Sequence, residues 1–134
     1  MRILWTKART FTAEPVAPAW RRARPGAQPV AVTDAVVLAV AFEARDRARP
    51  EVVAAAARWA AAALAPGTRT VVLHSFHFLA PEPLPAEAAE PLYAALEAAL
   101  AAALGAYVVK TAFGWRHALH LLEDPAGQKG VVAF

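Results

Sequence analysis

The stretch Tyr107–Leu122, YVVKTAFGWRHALHLL, is the segment around which the rest of the chain is organised. Tyr107–Thr111 is β-branched and aromatic, whereas Trp115–Leu122 is apolar with basic residues threaded through it. Phe113-Gly114 separates the two, and glycine takes the positive φ of a tight reversal at no steric cost. The pattern predicts a β-hairpin. In its second strand, alternation puts Trp115, His117, Leu119 and Leu121 on one face and Arg116, Ala118, His120 and Leu122 on the other. Arg116 and His117 then share a pocket only if a bulge breaks the alternation. Trp, Arg and His beside a glycine turn are an unusual load for scaffold alone, so this segment is where chemistry is expected.

Immediately before it, Ala86–Leu104 reads as a helix: Leu92, Leu96 and Leu100 recur at i+4, Ala89 and Ala103 extend the stripe, and Gly105 is the stop. Pro81, Pro83 and Pro85 make an extended linker, and Ser75–Leu79 leaves the end of a strand predicted over Thr68–His74. Glu51–Leu64 is a second helix, with Pro50 at its first position and Pro66-Gly67 as its stop. Trp59 anchors its stripe of Val52, Ala56, Ala60 and Ala63. Val30–Glu43 is a strong strand whose near-continuous apolar run, Val36–Phe42, marks a central position covered on both faces. Strand, helix and strand in that order predict a βαβ crossover with Val71–His74 parallel to Val36–Phe42.

Met1–Thr6 reads as a short strand that Thr10–Thr12 either continues or pairs against. Pro15, Pro18, Pro25 and Pro29 exclude regular structure from Glu14 to Pro29, which is therefore expected to be a loop or lid, with Trp20 packed down inside it. Past the central segment, Glu123–Lys129 is a polar turn region and Val131–Phe134 an edge strand. The fold expected is α/β: a mixed sheet of about five or six strands with two helices on one face.

Bulk properties narrow the function classes. A length of 134 residues predicts a single domain over 1–134. Apolar residues are 58% of the chain, but many are alanine, so the core leans on four Trp, six Phe and the Leu and Val positions. No run reaches the roughly 18 apolar residues of a membrane span, and MRILWTKARTF is too charged for a secretory segment, so the expected compartment is the cytoplasm. The absence of cysteine removes disulfides, thiol nucleophiles and zinc–thiolate sites. Net charge is +3 with pI ≈ 9.8. Lys7, Arg9, Arg21, Arg22 and Arg24 lie before residue 25 with only Glu14 against them, a region that could meet phosphate, although composition alone favours an ordinary solvated face.

The four histidines form two pairs, His74 with His77 and His117 with His120. On a strand, i and i+3 point to opposite faces, so neither pair chelates a metal unless the strand breaks between its members, and no metal or other cofactor is expected. His74 ends a buried strand, where α/β sheets gather ligands, though a core histidine satisfied by backbone fits equally well. Ser75 is the only serine in the chain and has no triad spacing around it.

Taken in order, MRIL, VVLAVAFEARDRARPEVV, VVLHSFHFLAPE and AYVVKTAFGWRHALHL resemble the N-terminal editing domain of archaeal-type threonyl-tRNA synthetase, which shares its fold with D-aminoacyl-tRNA deacylases. The likeness runs from about residue 35 to 121, and its sharpest piece is AFGW, where the family carries Pro-Phe-Gly-Tyr. The resemblance implies hydrolysis of the ester joining a wrong amino acid, serine in that family, to the 3′-terminal adenosine of tRNA. It implies catalysis in which the RNA's own ribose hydroxyl and a positioned water do much of the chemistry. Three pocket positions depart from the family: His117 stands where it has lysine, Arg116 where it has tyrosine, and Phe78, with His77 one place earlier, where it has histidine.

These readings combine into a free-standing editing-type hydrolase acting in trans, with tRNA as partner and a homodimer as the expected assembly. His117 and His77 are the candidate catalytic residues. His74, Trp115, Phe76, Phe42 and Glu43 are the candidate substrate-binding residues, with backbone groups near Ala41–Glu43 reading the amine. Arg21, Arg22, Arg24 and Arg116 are candidates for tRNA phosphates. Two alternatives stand beside it: a non-catalytic module that keeps the fold and binds nucleotide, RNA or protein, and a metal-dependent hydrolase using the histidine pairs.

Overall fold

β2 (Val30–Ala41) lies in the middle of the sheet because it carries the longest apolar run. This is seen in a computed structural model that describes residues 1–64 and 66–134. Among the described residues the sheet has six strands and packs against two α-helices. From β2 the chain passes through α1 (Glu51–Ala63) to β3 (Thr70–Ser75), which lies parallel to it from Val36↔Val71 to Val40↔Ser75. From β3 it passes through α2 (Ala86–Leu104) to β4 (Tyr107–Lys110), again parallel, from Thr70↔Tyr107 to Leu73↔Lys110. Two successive crossovers of the usual right hand, stepping the same way across a sheet, put both helices on one face. Val52, Ala56 and Ala60 of α1 and Ala89, Tyr93, Leu96 and Leu100 of α2 accordingly share one core with Val36, Leu38, Val40, Val71 and Leu73. The second helix has the predicted bounds, and Gly105 ends it in the left-handed region at φ 58°, its N–H donating to the Ala101 carbonyl.

On the other side of β2 lies β1 (Arg2–Pro18), antiparallel to it from Arg2↔Ala41 to Ala13↔Val30. The far edge of β1 is shared by β6 (Lys129–Ala133), opposite Arg2–Thr6, and β5 (Trp115–Glu123), opposite Ala8–Pro18. The irregular region expected from Glu14 therefore starts only after Pro18. Beyond Ala13 the strand has no neighbour on the β2 side, so the N–H that proline lacks is not needed there, and Pro15 and Pro18 are tolerated. The register shift between Pro15 and Ala17 is a second sign of this relaxed edge.

The predicted hairpin does not form. Phe113-Gly114 does make the turn, with Gly114 at φ 79°, but β4 pairs with β3 and β5 with β1, at opposite ends of the strand order β4-β3-β2-β1-β5. Local turn chemistry specifies a reversal; it does not choose which strands pair across it. The connection also bends the sheet. Four strand spacings in a flat sheet are roughly 19 Å, whereas five peptide steps from Lys110 to Trp115 reach at most about 18 Å. The sheet must curl for the chain to cross. Its concave face holds a second buried cluster drawn from β1, β2 and β3 alone: Ala8, Phe11, Ala13, Ala35, Val37 and Val72. The expectation that Val36–Phe42 is covered on both faces is met, by helices on one side and by the sheet's own curvature on the other. Among the described residues, no helix is long and apolar enough to cross a membrane.

Candidate functional site

At the carboxyl ends of β2 and β3 the curl leaves a cavity of about 560 Å³, a volume in the range of small-ligand sites. Its floor is aromatic. Phe42 meets the Tyr93 ring edge to face at 4.9 Å, and Phe113 lies tilted 5.1 Å from Tyr93. The Tyr93 hydroxyl donates to the Val40 carbonyl, and burial pushes its pKa up to about 12, against hydrogen bonding with Ser75 and the Phe76 backbone. Tyr93 thus supplies a neutral ring and no proton near pH 7.

Two imidazoles converge on the inner wall. His74, at the end of β3, is 6% exposed; its Nδ1 is 2.9 Å from the Thr111 hydroxyl. Its ring is stacked near Phe76 at 6.3 Å and meets the His117 ring at 5.6 Å. Burial, and then repulsion from His117, bring its pKa down to about 4. Burial also lowers that of His117, although a hydrogen bond to the Trp115 backbone works the other way. His117 Nε2 is buried and has no hydrogen-bond partner among the described residues. A buried polar atom without a partner costs about 1–3 kcal/mol.

Trp115 and Arg116 line the same cavity as His117. Alternation alone forbids this for Arg116, and the register shift on β1 falls opposite that pair of residues, between Pro15↔His117 and Ala17↔Arg116. His77 and Phe78 sit on a 3-10 turn, His77–Leu79, at the rim, their rings 4.0 Å apart. His120 lies opposite Thr12 and does not line the cavity, so the second histidine pair is not brought together.

Trp20 forms the outer wall. The N–H groups of Ala19 and Trp20 both donate to the Gly114 carbonyl, and the Trp20 ring meets Phe113 at 5.7 Å. Its indole N–H reaches Glu87 Oε1 at 3.2 Å, bridging to the first turn of α2. Trp115 Nε1 donates to the Arg24 carbonyl at 3.0 Å, which ties the other end of the loop to β5. Arg21, Arg22 and Arg24 do not line the cavity. Arg21 and Arg22 are exposed and lie close enough to Glu87 to help lower its pKa, after hydrogen bonds from its own backbone and Trp20. They therefore stand beside the mouth.

Glu43 is not a pocket residue. Its carboxylate is held by Arg45 at 2.8 Å, Arg2 at 3.1 Å and the Met1 amine at 3.1 Å, and its N–H donates to Asp46 Oδ2. Burial works to raise its pKa, but those cations together bring it down to about 2. The expected backbone contacts near Ala41–Glu43 are also taken, since the Phe42 carbonyl accepts from Leu84 N–H. A carboxylate following a strand end reads as a site residue in sequence; only the fold reveals that three cations surround it. Conversely, sequence reasoning does not single out Tyr93 or Thr111. The signal for Tyr93 is a lone hydroxyl on an apolar helix stripe, which a buried tyrosine must satisfy. Nothing local marks Thr111.

The family model described as the archaea-specific editing domain of threonyl-tRNA synthetase matches residues 1–124. Among solved structures, one described as a probable eukaryotic D-amino acid tRNA deacylase superposes with a TM-score of 0.67 over 98% of each chain, at 12% sequence identity. That likeness is one of fold. No curated protein matches the chain in sequence.

Proposed function

Because the chain belongs to the family of archaea-specific editing domains of threonyl-tRNA synthetase, we propose that it hydrolyses mischarged aminoacyl-tRNA in trans, with seryl-tRNA(Thr) as the first substrate to test. The observation that carries this reading is the convergence of His74 and His117 on one largely apolar cavity. The terminal adenosine enters that cavity with its esterified ribose toward the imidazoles. His117 Nε2 accepts a hydrogen bond from the attacking water or the free ribose hydroxyl, a partner it lacks among the described residues. Water adds to the ester carbonyl, the carbon–oxygen bond to the ribose breaks, and the ribose oxygen leaves with a proton. His74, held neutral and oriented by Thr111, keeps a second charge away from His117. Trp115, Phe76 and Phe42 form the walls, and His77 acts at the rim. Arg116, Arg21, Arg22 and Arg24 meet the phosphates of the incoming strand. A homodimer accompanies this reading, since β5 ends the sheet and exposes Leu119, Leu121 and Leu122.

The test is deacylation of seryl-tRNA by the purified chain and its His117→Ala variant. Turnover that falls about 100-fold or more in the variant supports the hydrolase. Tight adenosine binding with no turnover supports the second reading, a module that binds nucleotide without catalysis. That reading is favoured by one feature, the replacement of the family's pocket lysine by His117, which removes a permanent charge.

A further inference from the structure

Phe78 is 78% exposed, the most exposed of the large hydrophobic side chains among the described residues. It is not a frayed residue. The 3-10 turn that carries it is closed by Leu79 N–H to the Phe76 carbonyl and Ala80 N–H to the His77 carbonyl. One side of its ring lies against His77, with centroids 4.0 Å apart at 35°, and its edge meets Phe76 at 6.0 Å. Its neighbours thus fix the ring while its remaining surface faces solvent at the cavity mouth. Arg116, also exposed, lines the same mouth.

From this geometry we infer that Phe78 is a stacking platform for an unpaired nucleobase outside the cavity, the one that precedes the terminal adenosine of a bound RNA strand. The inference rests on the reading in the preceding subsection, that the cavity takes that adenosine. A strand leaving the cavity must cross its rim. The next base is single-stranded there and presents a π-face, as does every base. Phe78 offers the matching face at a fixed height, and Arg116 stands by for the phosphate linking the two nucleotides. The ring's lack of polar atoms makes the contact tolerant of base identity. The family's histidine at this position would offer a smaller, ionisable ring; the phenyl ring stacks without titrating.

The experiment compares binding of the RNA trinucleotide CCA with binding of adenosine, followed by quenching of the fluorescence of Trp20 and Trp115. The quantity read is the affinity advantage of CCA over adenosine. Phe78→Ala is expected to shrink that advantage about 10-fold, and Phe78→Trp to keep it or enlarge it. Phe78→Leu, which retains apolar area but no π-face, is expected to behave like Phe78→Ala. An advantage unchanged in Phe78→Ala overturns the platform while leaving the cavity's assignment intact. Failure of the unaltered protein to bind either probe overturns both. An unchanged melting temperature in the three variants shows that the fold is not the cause, as expected for so exposed a side chain.

Discussion

The imidazoles of His74 and His117 meet edge to face at 5.6 Å, although the strands that carry them, β3 and β5, are separated in the sheet by β2 and β1. In a flat sheet three strand spacings, together with the run of β1 from Leu4, level with His74, to Pro15, level with His117, would hold them roughly 40 Å apart. Their approach is a product of the curl. It also means that two ionisable rings share one poorly solvated place, where both cannot be charged together.

Thr111 hydrogen-bonds the His74 ring, and its own backbone N–H is fixed to the Leu73 carbonyl. Thr111→Val keeps the shape and removes the hydroxyl. We expect a decrease of about 1–3 kcal/mol in stability to urea, the cost of leaving a buried imidazole nitrogen unpaired. Deacylation is expected to fall as well, and Thr111→Ser is expected to restore both.

The depressed pKa of His74 sets the sign of a pH effect. Between its ordinary 6.5 and about 4 the unfolded chain binds a proton that the folded chain refuses. Stability is therefore flat above about pH 6.5 and falls as pH drops through that window. The groups facing His74 are His117, whose pKa is also lowered, and the uncharged Thr111, Phe11 and Phe76. Denaturant unfolding at pH 7 and pH 5 should differ by about 2 kcal/mol, and His74→Gln should remove most of the difference. Glu43, whose pKa is lowered to about 2, adds a further decrease only below its ordinary 4.5.

Gly114 adopts φ 79°, and a Cβ built there would lie 3.1 Å from the Trp20 ring and 3.2 Å from Ala23 Cβ. Gly114→Ala meets backbone strain and a packed wall at once. A destabilisation of about 1–3 kcal/mol is expected. Displacement of Trp20 should also show as a red-shifted emission and weaker adenosine binding. Gly26→Ala, at a second positive φ but with no atom of the described residues within 4 Å of the Cβ position, should leave the emission and the binding unmoved.

If Arg21, Arg22 and Arg24 meet phosphates, their effect is electrostatic and shows in salt dependence. Replacing each with glutamine should reduce the slope of log K against log salt for tRNA binding by about 0.7 for every phosphate no longer neutralised. Because Arg21 and Arg22 are exposed and Arg24 engages β5 through its backbone carbonyl, thermal stability should not change.

Much of the fold is legible in the sequence because its signals are local and repeated. The i+4 leucines and terminal glycine of Ala86–Leu104 give both bounds of α2, and the run Val36–Phe42 announces a central strand with a parallel neighbour. The segment Tyr107–Leu122 misleads for the opposite reason. Two strands around a glycine turn look like a hairpin, and only the competing partners β3 and β1, both distant in sequence, draw them apart. Of the candidate site residues, His74, His77, His117, Trp115, Phe76, Phe42 and Arg116 line the cavity, because most lie at strand ends. Glu43 misleads because an acidic side chain shows its charge in sequence but not its counterions.

The crossing from Lys110 to Trp115 has one more consequence. It acts as a drawstring of fixed length across the mouth of a rolled sheet, so the gap between the two histidines is gauged by the radius of the roll. Widening side chains on the concave side, at Ala35 or Ala13 for instance, would open that radius and part the rings without touching either one. The dimensions of the cleft are in this sense a property of the whole sheet, inherited from small residues that do not line it.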